Sequence, residues 1–245
     1  MKKVLKFFSL ILSIVLVVSA SISCVRNIDN VNDVDDNSST NNSTQQQEQQ
    51  VDFSALNMVS IGDSILSGAG IDNPVTFKLK ELLGLKNCLN YGIPGSALSA
   101  INGYNPYVYR YDKMLDNADI VFVQCSGNDI DRIEVGNYTD TTLDTFCGCV
   151  NYLIKGLKEK YPSAWIFFQP GFMRAEVYVE KATSYMSAMK EVCKLNNVDY
   201  FDTFVRDYPY DYKTDTVDWV HLNQNFTNTV WAPDLAQFIK DNYKK

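Results

Sequence analysis

Four short segments carry side chains whose types and spacing could do chemistry. Gly62-Asp63-Ser64 places a hydroxyl directly after an apolar run. At such a turn, near a helix N-terminus, backbone N–H groups can face a developing oxyanion. The same tripeptide also suits a turn in which Asp or Ser caps a helix. Asn90-Tyr91-Gly92-Ile93-Pro94-Gly95 has two glycines after a second apolar run. They let the backbone come close to a ligand, or they form an ordinary loop. Ser126-Gly127-Asn128-Asp129 follows the most apolar run. Its Asn amide can donate into a crevice, or the segment closes an Asx-type turn. Asp218-Trp219-Val220-His221 holds the one histidine of the chain. A carboxylate three residues before an imidazole can fix its tautomer and leave the other ring nitrogen as a base. Together the segments supply a nucleophile, oxyanion donors, an orienting acid and a base.

The elements between them must bring these groups to one place. Met58 to Ile61, Cys88 to Tyr91, Asp119 to Cys125, Ala164 to Gln169 and Val198 to Phe201 read as strands. Val75 to Leu83 reads as a short helix ended near Gly84. Leu143, Phe146, Val150, Leu153, Ile154 and Leu157 recur at helical spacing, and Pro162 closes that helix. Further helices run from about Val177 to Leu195 and from Ala232 to Asn242. Strands alternating with helices imply crossover connections and a parallel sheet. The strands are apolar without alternation, as expected when both sheet faces are covered. The predicted architecture is a three-layer α/β/α sandwich. In such sheets, sites form outside the carboxyl ends of the strands, where the first three motifs fall.

The ends of the chain narrow the remaining choices. Lys2, Lys3 and Lys6 precede an apolar run from Phe7 to Val18, and small residues follow up to Cys24. That order predicts an export signal over 1–24. Ser21-Ile22-Ser23-Cys24 looks like a bacterial lipoprotein site, with Ser21 where an aliphatic residue is usual. Cleavage beside Ser23 would instead release a secreted protein. Asn and Gln fill 11 of the 26 positions in 25–50, a composition that predicts a disordered tether. Residues 51–245 are then one domain with a substantial core. The chain's net charge of −7 and the lack of a basic run exclude a nucleic-acid reading. One histidine and no Cys-x-x-Cys pair argue against a zinc site. Export permits disulfides, but Cys88, Cys125, Cys147, Cys149 and Cys193 read first as buried hydrophobes.

The four motifs, in this order and over about 55–240, resemble the SGNH/GDSL hydrolase family. The resemblance implies a five-stranded parallel sheet between helices, flavodoxin-like in form. It makes Ser64 the nucleophile and Asp218 with His221 the rest of a triad. The oxyanion hole would be the Ser64 and Gly95 N–H groups, with Gly92 the weaker candidate, and the Asn128 side chain. Three residues depart from the family pattern: Ser126 for the first Gly of its third block, Trp219 for a frequent Gly and Leu222 for a frequent Pro. The implied reaction is ester hydrolysis through an acyl-enzyme, with no cofactor and no metal. Substrate stays open between a glycan acetyl ester and a lipid acyl ester or thioester. Tyr104, Tyr107, Tyr109 and Tyr111 could form a sugar-stacking surface or simply pack. A non-catalytic surface binding protein on the same fold is the alternative from another class. Membrane contact would come only through a lipid on Cys24.

Overall fold

The computed structural model describes residues 51–100, 104–172 and 176–244. The predicted leader with Cys24 and the predicted tether lie outside the described residues. Five strands form one parallel sheet: β1 Asn57–Gly62, β2 Asn87–Gly92, β3 Ile120–Gln124, β4 Trp165–Gln169 and β5 Asp199–Tyr200. Their order across the sheet is β2-β1-β3-β4-β5. The helices are α1 Ser64–Ser67, α2 Val75–Leu83, α3 Phe146–Lys160, α4 Glu176–Leu195, α5 Gln224–Phe226 and α6 Ala232–Asn242. A π-helical turn, Thr227–Trp231, joins α5 to α6.

Strand periodicity sends alternate side chains to opposite faces. Val59, Ile61, Val121, Val123, Ile166 and Phe168 enter one core with α3 and α4. Met58, Ile120, Phe122 and Phe167 enter a second with α2 and α6. Because both faces are covered, β3 is buried at all five positions. This is why it reads as an unbroken apolar run. Edge strand β2 is only half-buried throughout.

Helix boundaries follow their caps. Gly84 stops α2 at a left-handed φ of +67°, a conformation that glycine adopts at little cost. One expectation is corrected. Leu143 lies before α3, because the Thr145 hydroxyl accepts from Gly148 N at 3.1 Å and starts the helix there. Leu143 still packs on the core from its loop, which reproduced the helical spacing. The helix ends at Lys160 with Tyr161 as its C-cap, directly before Pro162, as expected.

In this strand order the chain passes from β1 out to β2 and then crosses back over β1 to β3, so its direction across the sheet reverses there. A crevice opens outside their carboxyl ends. The residues that follow Gly62 and Gln124 border that crevice.

Candidate active site

Ser64 is the first residue of α1, directly beyond β1, and is nearly buried. The preceding Asp63 caps the helix, its carboxylate accepting from Ile65 N at 2.8 Å. Asp63 N donates to Gln124 Oε1 at 3.4 Å. Backbone N–H groups of a first helical turn have no partner within the helix. The Ser64 N–H is therefore available to an anion. Gly62 is required by packing: a Cβ there would lie 2.5 Å from Leu66 Cβ and 2.8 Å from Gln124 Oε1.

The two glycines of the next loop differ in role. Gly92 N already donates to Asn90 Oδ1 at 2.7 Å. A Cβ at Gly92 would also meet Ser67 N at 2.5 Å. Gly92 thus lets the loop press against α1. Gly95 is exposed at a φ of +77°, and its N–H makes no hydrogen bond among the described residues. Of the two, Gly95 alone can offer a donor.

Asn128 lies in the turn after β3. One of its amide hydrogens goes to Ser96 O at 2.9 Å. A carboxamide nitrogen carries two, so one remains. Ser126, in place of a glycine, is accommodated: its hydroxyl donates to Ser96 O at 3.0 Å and accepts from Asn128 N at 2.9 Å. Asp129 is fully buried and accepts from Leu98 N, Ser99 N and Ser99 Oγ at 2.8, 2.9 and 2.5 Å. Burial pushes its carboxyl up, against the pull of those donors. Ser96 and Asp129 therefore fasten the Gly95 loop to the Asn128 turn.

Asp218 and His221 are paired, Oδ2 to Nδ1, at 2.7 Å. The other oxygen, Oδ1, accepts from His221 N at 2.7 Å and Val220 N at 3.1 Å. The His221 N–H bond, then the ring, hold the Asp218 carboxyl below its usual range. Val217 N donates to His221 O at 2.8 Å and closes the loop. Leu222, where the family often has Pro, is buried in the second core and anchors it. Trp219 is 71% exposed at a φ of +70°. A frequent Gly at this position is explained by that backbone angle.

The loop carrying His221 is fastened to the segment that leaves Ser64. Asn73 N donates to Gln224 Oε1, and Gln224 Nε2 to Asn73 O, each at 3.0 Å. Gly70 faces Val217, and a Cβ on it would come within 2.9 Å of Val217 Cγ2. No hydrogen bond joins Ser64 Oγ to His221 among the described residues. The structure thus joins Asp218 to His221, and Gly95 to Asn128 through Ser96.

A cavity of about 210 Å³ is lined by Asn128 and by Asp63 and Ile65, the neighbours of Ser64, with Ile130 and Phe172 on an apolar side and Asp131 and Arg132 on a polar one. Two features had no sequence signal: this cavity, and Gln124 holding Asp63. Among the described residues no group of His, Cys, Asp and Glu is placed to hold a metal ion.

The model of the GDSL-like lipase/acylhydrolase family matches residues 60–225, which include Ser64, Gly95, Asn128, Asp218 and His221. The chain belongs to that family. It is an ester-bond hydrolase. Solved structures share the fold at low identity. A Lactobacillus plantarum protein is 21% identical with a TM-score of 0.69, over 78% of this chain and 99% of that one. A possible lipase from Chitinophaga pinensis is 17% identical with a TM-score of 0.61, over 76% and 98%. The acetylxylan esterase Axe2 of Geobacillus stearothermophilus is 16% identical with a TM-score of 0.54, over 79% and 98%. No curated protein matches this GDSL-like hydrolase.

Proposed function

We propose that this hydrolase cleaves carboxylic esters of short acyl chains through an acyl-enzyme on Ser64. The observation that carries the reading is the Asp218–His221 pair, locked at 2.7 Å on a loop tied to the segment that leaves Ser64. His221 takes the Ser64 proton as the hydroxyl attacks the ester carbonyl. Asp218 holds Nδ1 and stabilises the imidazolium. The Ser64 and Gly95 N–H groups and the free hydrogen of Asn128 receive the oxyanion. His221 then protonates the leaving alcohol, and water repeats the cycle. The missing Ser64–His221 hydrogen bond fits a free enzyme, in which such contacts tighten only with substrate.

The cavity supports the acyl side of the reading. An apolar cavity of about 150 Å³ can bind benzene, so one of 210 Å³ suits an acyl group of about that size or a little larger. Ile65, Ile130, Phe172, Met186 and Phe204 give it an apolar side for a hydrocarbon, opposite polar Asp131 and Arg132. A glycan acetyl ester is the second reading. Tyr104 and Tyr109 are exposed and could stack on sugar rings, and one fold relative is an acetylxylan esterase. Tyr107 is fully buried and belongs to the core instead. Export with lipidation at Cys24 is proposed from the leader pattern alone.

A series of aryl esters from acetate to hexadecanoate tests the proposal, with Ser64→Ala as control. We expect kcat/KM to rise to about four to six carbons and fall beyond about eight. Ser64→Ala should lose turnover by at least about 10³-fold while keeping its melting temperature. Equal rates on hexadecanoate would remove the cavity from the account, and an active Ser64→Ala would remove the mechanism.

A further inference from the structure

Arg110 sits almost fully buried beneath the ends of β1 and β2, outside every motif above. Its Nη2 donates to Gly62 O at 2.6 Å and to Ser96 Oγ at 3.1 Å. Its Nη1 donates to Tyr91 O, and its Nε to Asn105 O at 2.7 Å. One guanidinium therefore grips the last residue of β1, the end of β2 and two points of the segment that follows β2. The guanidinium carbon lies 4.9 Å from the centre of the fully buried Tyr107 ring.

Two of its four acceptors, Gly62 O and Ser96 Oγ, adjoin the segments that carry the oxyanion-hole donors. Gly62 O belongs to the peptide unit that feeds Asp63 and then Ser64. The N–H of that same unit is held by Gln124 Oε1. Both edges of that peptide plane are therefore held, one unit before the Ser64 N–H, and the next unit is held in turn by Ser67 N donating to Asp63 O at 3.0 Å. Ser96 directly follows Gly95. Its hydroxyl donates to Ile93 O at 2.8 Å, which closes the turn around Gly95. Its carbonyl accepts from Asn128 Nδ2 and Ser126 Oγ. All three hole donors thus connect to Arg110 within two bonds of the network. Burying a cation is costly unless it is well partnered. A neutral side chain could fill the space at less cost, so this cation is positioned for more than filling it.

We infer that Arg110 is a positioning residue that sets the oxyanion hole, holding the Ser64 and Gly95 N–H groups through Gly62 O and Ser96 Oγ. The inference rests on the acyl-enzyme reading. The planar fork of Arg can hold several carbonyls at once, whereas a Lys ammonium can replace only part of that set. Hole donors act in the transition state, so misplacing them should lower kcat and leave KM nearly unchanged.

The test compares wild type, Arg110→Met, Arg110→Lys and Ser96→Ala in the full chain. Active sites are counted with a fluorophosphonate. Rates are read on an aryl butyrate, and binding on an aryl boronic acid, which forms a tetrahedral adduct with a nucleophilic serine. Arg110→Met should lower kcat per counted site by about 100-fold, with KM within about twofold and weaker boronate binding. Arg110→Lys should recover about tenfold of that loss. If Arg110→Met does not fold, Ser96→Ala decides, with an expected kcat loss of about tenfold. Variants that melt earlier yet keep kcat per counted site would overturn the inference and leave the acyl-enzyme reading intact. Failure of the fluorophosphonate to mark wild-type Ser64 would overturn both.

Discussion

Both oxygens of Asp218 are committed to its own loop, Oδ2 to the His221 ring and Oδ1 to the His221 and Val220 N–H groups. These bonds depress the Asp218 carboxyl, so its stabilising effect has a definite sign. It is fully present above the ordinary carboxylate value of about 3.9 and is lost as pH falls through the lower folded value. Asp218→Asn should therefore lower the melting temperature at pH 7, with the gap to wild type closing below about pH 4. Melting curves across pH 3 to 7 check this, and a constant gap would contradict it. Trp219 tests the strain on the same loop. A side chain at a φ of +70° costs about 1 kcal/mol or more, and an exposed ring repays little of it. Trp219→Gly should hold or raise the melting temperature, by up to about 4 °C. A drop of several degrees would show that the ring packs after all.

At the scale of elements, the site depends on how firmly the strand-end loops hold one another. Asp129 joins the turn after β3 to Leu98 and Ser99. Asp129→Ala would strand two backbone N–H groups and a hydroxyl, at a cost of roughly 3 kcal/mol. For a domain of this length that lowers the melting temperature by roughly 6–12 °C. A change under about 2 °C would mean that the loop is held by other contacts. The motifs were readable because each falls on a turn whose residues are chosen by chemistry: the Asp63 cap, the Gly95 left-handed turn, the Ser126 cap of the turn that carries Asn128. Arg110 was not readable. Its partners are mostly backbone carbonyls from distant segments, and a carbonyl leaves no mark on residue type. The choice of Gly95 over Gly92 also needed coordinates, because only they show which N–H is already used.

For the whole molecule, the apolar strands predicted a sheet covered on both faces, and two cores flank it. β2 and β5 were the hardest strands to bound, since edge position leaves β2 half-buried along its length and β5 only two residues long. The described cysteines are free thiols, four of them fully buried. Burial raises the Cys88 and Cys149 thiols to about 12 and Cys147 to about 11, which keeps them protonated and unreactive. A nucleophile-directed reagent should thus find one target. Mapping a fluorophosphonate by peptide mass spectrometry, with residual esterase activity followed in parallel, addresses the central claim directly. The account predicts one adduct per chain, on Ser64, with activity falling in proportion to labelling and no adduct on Ser64→Ala. Full activity in a chain modified at Ser64, or inactivation with the adduct elsewhere, would contradict it.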